Sequence, residues 1–345
     1  MRLVLVSGKG GSGVTTVARA AARAMRDLGF STAEVDSGAA TPLAGSSVWS
    51  DTAATFGVWL QRLGAASLNP DELVGLPGLN ELVTGALVAD AVGNPSIDVV
   101  VWDLGSTREA LRTLQLLDSV PMLLDRLLTG QAADQLSAPD PDALLAAWYR
   151  LVAHVTTARE VVRSAASIMV GTLDDVHELD QAVGAMRLYD CEPSALVLTK
   201  VPGKKDGIDK SGRDKAKAAV AGADRIGAPI VQLRLRPDRQ VKIARIADEL
   251  RPLVNVLMAM PEVKQPAWTL TRGKRGYRLR FTLRAGASVQ VGRRGDVLLL
   301  VCDGHRRQFE LPPVLKRCVL DGGGMRGSSL VLRFSPDPQV WRDRA

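Results

Sequence analysis

The sequence is short of the residues that build metal centres and disulfide frameworks. It has three cysteines and three histidines in 345 residues. The cysteines form no Cys-x-x-Cys pair and the histidines show no metal-ligand spacing, so we expect neither a zinc site nor a disulfide scaffold. Aromatic residues make up only 4% of the chain. Those in the basic C-terminal region are too scattered to form a stacking platform, which argues against nucleic-acid binding.

Long apolar runs are also missing. No run approaches the roughly 18 uncharged residues that a membrane-spanning helix needs, so we expect no transmembrane segment. The first apolar strand begins almost at Met1, which leaves no room for a signal peptide before it. These features together predict a cytoplasmic protein. Its 46% hydrophobic and 23% charged residues are globular values, and its length suits two domains.

Charge and hydrophobic patterning divide the chain in two. Residues 261–345 hold 17 basic and 7 acidic residues, a net charge of +10, whereas the remainder holds 27 and 30, a net charge of −3. In the first part strands alternate with helices, which predicts a parallel sheet covered on both faces. In the second part short alternating strands are separated by glycine turns, which predicts an antiparallel β-sandwich. Its basic surface is either a solvated arginine face or a site for an acidic protein surface.

The predicted ranges are a domain at 1–260, a linker at 261–268, a domain at 269–337, a tail at 338–345, a helix at Asp51–Leu63 and a polar loop at Pro202–Lys217.

The segment Ser7–Thr16, SGKGGSGVTT, carries the strongest functional signal. It follows the apolar run Leu3–Val6 and precedes an alanine-rich helical segment. Strand, glycine-rich loop and helix form the setting of a phosphate-binding loop, because backbone N–H groups and the helix N-terminus attract an anion. Against the Walker pattern, Gly8 and Gly13 are in register, but Val14 stands where the lysine is expected. The simpler interpretation is a glycine-rich turn without a ligand.

The stretch KGGSGVTT resembles the deviant Walker A motif KGGxGKTT of the ParA, MinD and arsenite-pump ATPase group. The resemblance implies ATP or ADP with Mg²⁺ as cofactor and a nucleotide-linked dimer, in which Lys9 would act as a catalytic residue at the partner's nucleotide. Thr15 would bind Mg²⁺ through its hydroxyl group. The departure at Val14 predicts weak or absent hydrolysis. The resemblance assigns these residues to nucleotide binding: Gly8, Gly10, Gly11, Ser12, Gly13, Val14, Thr15, Thr16, Thr199 and Lys200, with Thr199 in the place of the family's adenine-binding asparagine.

Two aspartates end strands near this loop. Asp36 ends STAEVD and matches the family's catalytic aspartate, which positions the attacking water; a turn-forming aspartate is the plainer alternative. Asp103 ends IDVVVWD and matches the Walker B-like aspartate that holds Mg²⁺ through water. Open α/β sheets bind ligands at the carboxyl ends of their strands, where both residues are expected. Arg108, which the family pattern lacks, faces either phosphate or solvent.

The C-terminal strands also resemble a known domain. Their pattern is similar to the small-heat-shock-protein-like (α-crystallin-like) domain that some arsenite-pump-type ATPases carry. The fold class implied for the whole chain is an α/β, parallel-sheet P-loop NTPase of the deviant Walker A class, followed by a small all-β sandwich. The matching positions are Gly295-Asp296, Gly304, Arg306-Arg307, Leu311-Pro312 and Phe334.

Two functions follow from these patterns. The first is a diverged nucleotide-binding protein of the arsenite-pump (ArsA) family with impaired ATP hydrolysis. It would be a homodimer, or the silent half of a heterodimer with an intact paralogue, and would handle membrane-protein or other protein clients, as the tail-anchored-protein targeting members do. The second is a non-catalytic chaperone or adaptor that no longer binds nucleotide. The helical region Asp118–Ser164 forms either a short client groove or, more simply, packing helices.

Overall fold

The computed structural model of the protein describes residues 1–38, 78–129, 141–201, 226–234, 242–261 and 267–340, with a few isolated residues between these ranges. At 124–129, 141–149, 151 and 175–177 it describes the backbone alone. Most of the helix predicted at Asp51–Leu63 lies outside it, although the isolated residues 53, 54, 57 and 61 are helical. The loop predicted at Pro202–Lys217, residues 262–266 of the predicted linker and residues 341–345 of the predicted tail also lie outside it. The chain divides into two compact units, Met1–Val176 with Pro193–Glu262, and His177–Glu192 with Val263–Ala345.

Strands and helices alternate along the first part of the chain. In chain order the elements are β1 (Arg2–Gly8), α1 (Val14–Asp27), β2 (Thr32–Asp36), α2 (Leu79–Gly93), β3 (Val99–Ser106), α3 (Thr107–Thr129), α4 (Pro141–Ser164), β4 (Ala166–Thr172), a short 3-10 helix (Leu173–Asp175), α5 (Val176–Leu188), β5 (Ala195–Thr199), β6 (Ile230–Gln232) and α6 (Ile243–Ala259). The strands form one parallel sheet in the order β2-β3-β1-β4-β5-β6. The predicted parallel α/β sheet is therefore confirmed.

The core of the first unit lies between the sheet and its helices. β1, β3 and β4 are buried along almost their whole length, as expected of parallel strands covered on both faces. Ala21 and Ala24 of α1 are fully buried in the same cluster as Leu250 and Leu257 of α6. These small side chains let α1 lie close to its neighbours, and this packing fixes the start of α1 beside the end of β1.

The longest helices, α3 and α4, pack against one another. They have 23 and 24 residues, and α4 also contacts α2. Arg159 of α4 donates a hydrogen bond to Asp118 of α3 over 2.9 Å. Such contacts are those of packing helices. Within the part of the chain that the structure describes, no helix combines the length and apolar character that crossing a membrane requires.

The second unit contains two antiparallel sheets, as predicted. Phe281 from one sheet and Phe309 from the other meet edge to face with ring centroids 5.0 Å apart. Trp268 contacts Phe309 in the same way at 5.3 Å, so aromatic rings join the two sheets. The sheets have the orders β11-β10-β9 and β12-β13-β8-β7. Their elements are β7 (Trp268–Gly273), β8 (Gly276–Thr282), β9 (Val289–Arg294), β10 (Val297–Cys302), β11 (His305–Glu310), α7 (Pro313–Lys316), β12 (Cys318–Arg326) and β13 (Ser329–Pro336).

A buried ion pair joins the segment after α5 to β11 inside the second unit. Arg307 donates from Nη2 to Asp190 Oδ2 over 2.7 Å, and the two side chains are only 2% and 3% exposed. Arg307 also donates from Nη1 to the Leu188 carbonyl over 2.5 Å. The second carboxylate oxygen of Asp190 accepts the Ala267 N–H over 3.0 Å. Asp190 lies in the segment 177–192, which the sequence analysis assigned to the first domain.

The three cysteines are buried and unbridged. Burial, assisted by the nearby Asp303 carboxylate, raises the pKa of Cys302 to about 11. Because the thiolate is the reactive form of cysteine, such a thiol is a poor nucleophile at neutral pH.

Candidate phosphate-binding site

The glycine-rich loop between β1 and α1 is tied to β4. The Lys9 N–H donates to the Val170 carbonyl over 3.0 Å, and the Ser12 N–H closes a turn onto the Lys9 carbonyl over 3.1 Å. The buried Ser12 hydroxyl is 2.7 Å from the Lys9 carbonyl and 3.3 Å from the Val170 carbonyl. Hydrogen bonds within the protein thus hold the loop conformation without a ligand.

Glycines permit this path. A Cβ atom on Gly8 would lie 1.9 Å from the Val170 carbonyl oxygen, and Gly11 and Gly13 have φ angles of 76° and 92°. Side chains other than glycine are strained in that left-handed region. The backbone N–H groups of Gly10, Gly11 and Gly13 have no acceptor among the described residues. Helix α1 begins directly after them with no acidic residue in its first turn, so donors and helix dipole both favour an anion here.

Val14 occupies the lysine position of the Walker pattern. Its side chain is only 7% exposed and belongs to the hydrophobic core cluster that includes Val6 and Val17. This position therefore supplies neither a charge nor a side-chain donor to the loop. The sequence had indicated the missing lysine, and the structure adds that its replacement is part of the core.

Asp103 lies at the carboxyl end of β3, between Val6 of β1 and Asp36 of β2 in the strand register. It is 4% exposed. Its Oδ1 accepts the Gly105 N–H over 2.9 Å, whereas its Oδ2 has no hydrogen-bond partner among the described residues. Burial raises the pKa of this carboxyl group, and the nearby Thr15 hydroxyl and Gly105 N–H oppose the rise. A buried carboxylate oxygen without a partner, beside a hydroxyl group, is a donor set that suits a hard divalent cation.

Replacing Asp103 with asparagine should stabilise the ligand-free protein at neutral pH. A carboxyl group whose pKa is raised by folding favours the folded state below its unfolded pKa and opposes it above the folded pKa. We therefore expect the Asp103→Asn variant to melt above the wild type at pH 7. This difference should shrink as the pH falls toward the ordinary aspartate pKa. Thermal unfolding from pH 4 to 8 measures it, and a lower melting temperature at pH 7 would contradict it.

Asp36 ends β2 and organises the turn that follows. Its Oδ1 accepts the Gly38 N–H over 2.8 Å. This contact is that of a turn-forming aspartate, the plainer of the two roles that the sequence allows for Asp36. Ser37 then ties three elements together. Its N–H donates to the Asp103 carbonyl over 3.0 Å, its hydroxyl accepts the Trp102 indole N–H over 2.8 Å, and its carbonyl accepts the Asn80 amide over 3.0 Å. The sequence analysis missed this role of Ser37, because nothing local to the chain indicates it.

The connection from β3 to α3 is closed by a capping box. The Ser106 N–H donates to Glu109 Oε2 over 2.7 Å, and the Glu109 N–H donates to the Ser106 hydroxyl over 3.3 Å. The pattern Ser-x-x-Glu was visible in the sequence and could have indicated this helix start. α3 begins at Thr107, and Arg108 is exposed on its first turn.

Thr199 and Lys200 end β5 on the other side of the loop. Thr199 is fully buried, and its hydroxyl is 2.7 Å from the Ser12 carbonyl and 3.2 Å from the Gly171 carbonyl. Its side chain therefore supports the loop, and it is not exposed for contact with a nucleotide base as the resemblance implied. Lys200 is exposed and has a φ angle of 56°.

The structure thus brings the loop, Asp36 and Asp103 together at the carboxyl ends of β1, β2 and β3. The chain runs from β1 to the edge strand β2 and back to β3 on one side of β1, and then to β4, β5 and β6 on the other, so the loop lies at the point where the strand order reverses. Ligands of open α/β sheets bind at such a point. Fold and site define a P-loop-type α/β unit, followed in the chain by an antiparallel β unit.

A match to a protein family agrees with the antiparallel β unit. Residues 274–334 match the family described as the HSP20-like domain found in ArsA. Over 99% of its length the chain is 27% identical to the uncharacterized protein SCO2128 of Streptomyces coelicolor, of which 99% is covered. Over 80% of its length it is 25% identical to protein Rv2184c of Mycobacterium tuberculosis, of which 72% is covered. Residues 274–334 are therefore similar to the HSP20-like domain found in ArsA.

One solved structure is also similar over part of its length. The signal recognition particle receptor FtsY from Elizabethkingia anophelis is 15% identical, with a TM-score of 0.31. The similarity covers 72% of this chain and 65% of that receptor, so the chain spans just under two thirds of its length. At this TM-score the likeness adds nothing to the fold assignment, which rests on the strand order.

Proposed function

We propose that the α/β unit binds ATP or ADP with Mg²⁺ at the glycine-rich loop and hydrolyses ATP weakly or not at all. The observation that carries the proposal is the buried Oδ2 of Asp103, which has no partner among the described residues and lies beside Thr15 at the foot of the loop. A buried carboxylate that is not satisfied costs stability. A Mg²⁺ ion would offset that cost.

The loop glycines, Thr15 and Asp103 fit a nucleotide with Mg²⁺, whereas Val14 does not. Gly10, Gly11 and Gly13 offer backbone N–H groups to phosphate, while Thr15 and Asp103 offer oxygens to Mg²⁺. When bound, the ion supplies charge neutralisation between phosphate oxygens. Val14 supplies no such charge. Since removal of one preorganised donor typically costs on the order of 10²–10³ in rate, slow turnover is expected.

Calorimetric titration with Mg²⁺-ATP and Mg²⁺-ADP tests this proposal. We expect wild-type binding in the micromolar range and tighter binding by the Val14→Lys variant, whose amine adds a positive charge beside the phosphates. Val14→Met is the matched control, because methionine extends the same buried side chain without charge. Tightening in Val14→Lys alone supports the proposal, whereas equal changes in both variants assign the effect to repacking.

The assembly belongs to the same proposal. Lys9 precedes the loop glycines in the position of the family's signature lysine, and we infer a nucleotide-linked dimer that handles protein clients, membrane proteins among them. The partner is a second copy or an intact paralogue, whose ATP would meet Lys9. Sedimentation velocity with and without Mg²⁺-ATP tests this. A change in oligomeric state that Lys9→Ala abolishes supports it, and an unchanged monomer at every nucleotide concentration contradicts it.

A second function is favoured by the buried positions of Val14 and Thr199. Both side chains take part in internal packing or hydrogen bonds, so the loop holds its shape without a ligand. That is what a non-catalytic chaperone or adaptor scaffold requires. If neither the wild type nor Val14→Lys binds nucleotide, while both remain folded, the scaffold function replaces the first.

A further inference from the structure

The outer face of the four-stranded sheet in the second unit carries a cluster of arginines around a cavity of about 300 Å³. The opposite face of the same strands is the apolar core, with Leu279, Phe281, Leu332 and Phe334 buried. Polar residues pointing away from a core are ordinary, but here every charged residue that lines the cavity is an arginine. The residues that line the cavity, called here the arginine face, are Thr269, Thr271, Arg278, Arg280, Arg326, Val331 and Arg333.

The arginines of this face repel one another. Arg278 of β8 and Arg333 of β13 are directly opposite in the strand register, and both are exposed. Like charges at opposed positions destabilise a sheet. Among the described residues, no acidic side chain forms an ion pair with any of the four arginines. An anionic ligand would therefore offset a repulsion that the fold leaves uncompensated.

The spacing of these groups matches an extended polypeptide. Arg278 and Arg280 are two residues apart on one strand, a distance of about 6.6–6.8 Å. Thr271 and Thr269 lie opposite them on β7, so two parallel rows of donors cross the face. Side chains at every second position of an extended chain have the same repeat, and each arginine can hold a carboxylate with two hydrogen bonds.

The lining argues for protein and against single-stranded nucleic acid. Proteins that bind single strands without sequence preference combine a basic groove with aromatic side chains on which bases stack. Among the residues that the structure describes, no aromatic side chain lines this cavity. We propose that the arginine face binds an extended acidic segment of a partner protein, with carboxylates at alternate positions.

Fluorescence anisotropy on the full chain tests the proposal at about 50 mM NaCl, where exposed charges are weakly screened. The probe is a labelled peptide of alternating glutamate and serine, about twelve residues long, matching strand spacing. The variant is Arg278→Gln with Arg333→Gln. Its control, Arg294→Gln with Arg306→Gln, removes the same charge from exposed positions on the three-stranded sheet. Equal melting temperatures verify that all three proteins are folded.

We expect the face variant to weaken peptide binding about tenfold, as the loss of two exposed ion pairs predicts, and the control to change it less than about twofold. Equal weakening in both variants would assign binding to net charge alone and overturn the proposal. Absence of peptide binding by the wild type would overturn it too. The third outcome concerns an oligothymidylate of similar length. If it binds the wild type more tightly than the peptide does, and the face variant no longer binds it, the face is a nucleic-acid site instead.

Discussion

Replacing Arg307 with methionine should lower the free energy of unfolding of the second unit by about 3–5 kcal/mol. The substitution leaves the Asp190 carboxylate buried and removes the guanidinium that pairs with it. It also removes the donor to the Leu188 carbonyl. An unpaired buried charge is among the most costly changes that a protein interior can suffer, because its desolvation is no longer offset.

The matched control is Arg306→Met, the same chemical change one residue earlier in β11. Arg306 is exposed, and it contacts Tyr189 through its backbone carbonyl, which accepts the Tyr189 hydroxyl. The control should therefore change stability by no more than about 0.5 kcal/mol. Urea unfolding of the full chain, followed by hydrogen exchange of peptides from residues 267–340, separates this unit from the rest. Equal losses in the two variants would contradict the prediction.

A double variant distinguishes the ion pair from simple packing. Asp190 has a φ angle of 63°, a conformation that asparagine also tolerates. Asp190→Asn combined with Arg307→Met removes both charges and keeps the backbone conformation. We expect the double variant to recover at least half of the stability that Arg307→Met loses, since no buried charge then remains. Additive losses would mean that the cost is lost packing and not an uncompensated charge.

The parallel sheet and the loop were predictable from the sequence because their signals are local. Leu3–Val6 and Val99–Trp102 are continuous apolar runs, and such runs favour strands buried on both faces. The glycines of the loop stand at fixed offsets between a strand and a helix. The antiparallel sheets followed in the same way from alternation and glycine turns. The capping box of Ser106 and Glu109 is equally local, since its two residues are three positions apart.

The contacts that could not be predicted join residues far apart in the chain. Thr199 and Ser12 are separated by 187 positions, and Arg307 and Asp190 by 117. Nothing in the local sequence of a threonine at the end of a strand indicates which carbonyl its hydroxyl group will bind. For that reason the resemblance assigned Thr199 to the nucleotide, while the structure gives its hydroxyl to the loop. The sequence of segment 177–192 is likewise typical of the helix of an α/β repeat. The ion pair of Asp190 with Arg307 is evident only in the structure.

Replacing Gly8 with alanine should destabilise the first unit by about 3 kcal/mol or more, at the upper end of what overpacking costs. The new Cβ would lie 1.9 Å from the Val170 carbonyl oxygen and 2.7 Å from its carbon. These are backbone atoms of the neighbouring strand, so no side-chain rotation can relieve the contact. Gly8 and Val170 are also paired in the register of β1 and β4, and separating the strands would break the ladder at the base of the loop.

Gly10→Ala is the control that separates the fold from the ligand. Among the described residues, its Cβ would have only the Ser106 Cβ within 4 Å, at 3.9 Å. The unfolding free energy of Gly10→Ala should therefore stay within about 0.5 kcal/mol of the wild type. If phosphate lies against this loop, the added methyl group should still weaken Mg²⁺-ADP binding in calorimetry, because glycine allows the closest approach of backbone to a ligand. A Gly8→Ala protein as stable as Gly10→Ala would contradict the first expectation. If a stable Gly10→Ala variant binds Mg²⁺-ADP as tightly as the wild type, the loop is not part of the nucleotide site. A phosphate that accepts hydrogen bonds from this backbone would be displaced by the added methyl group.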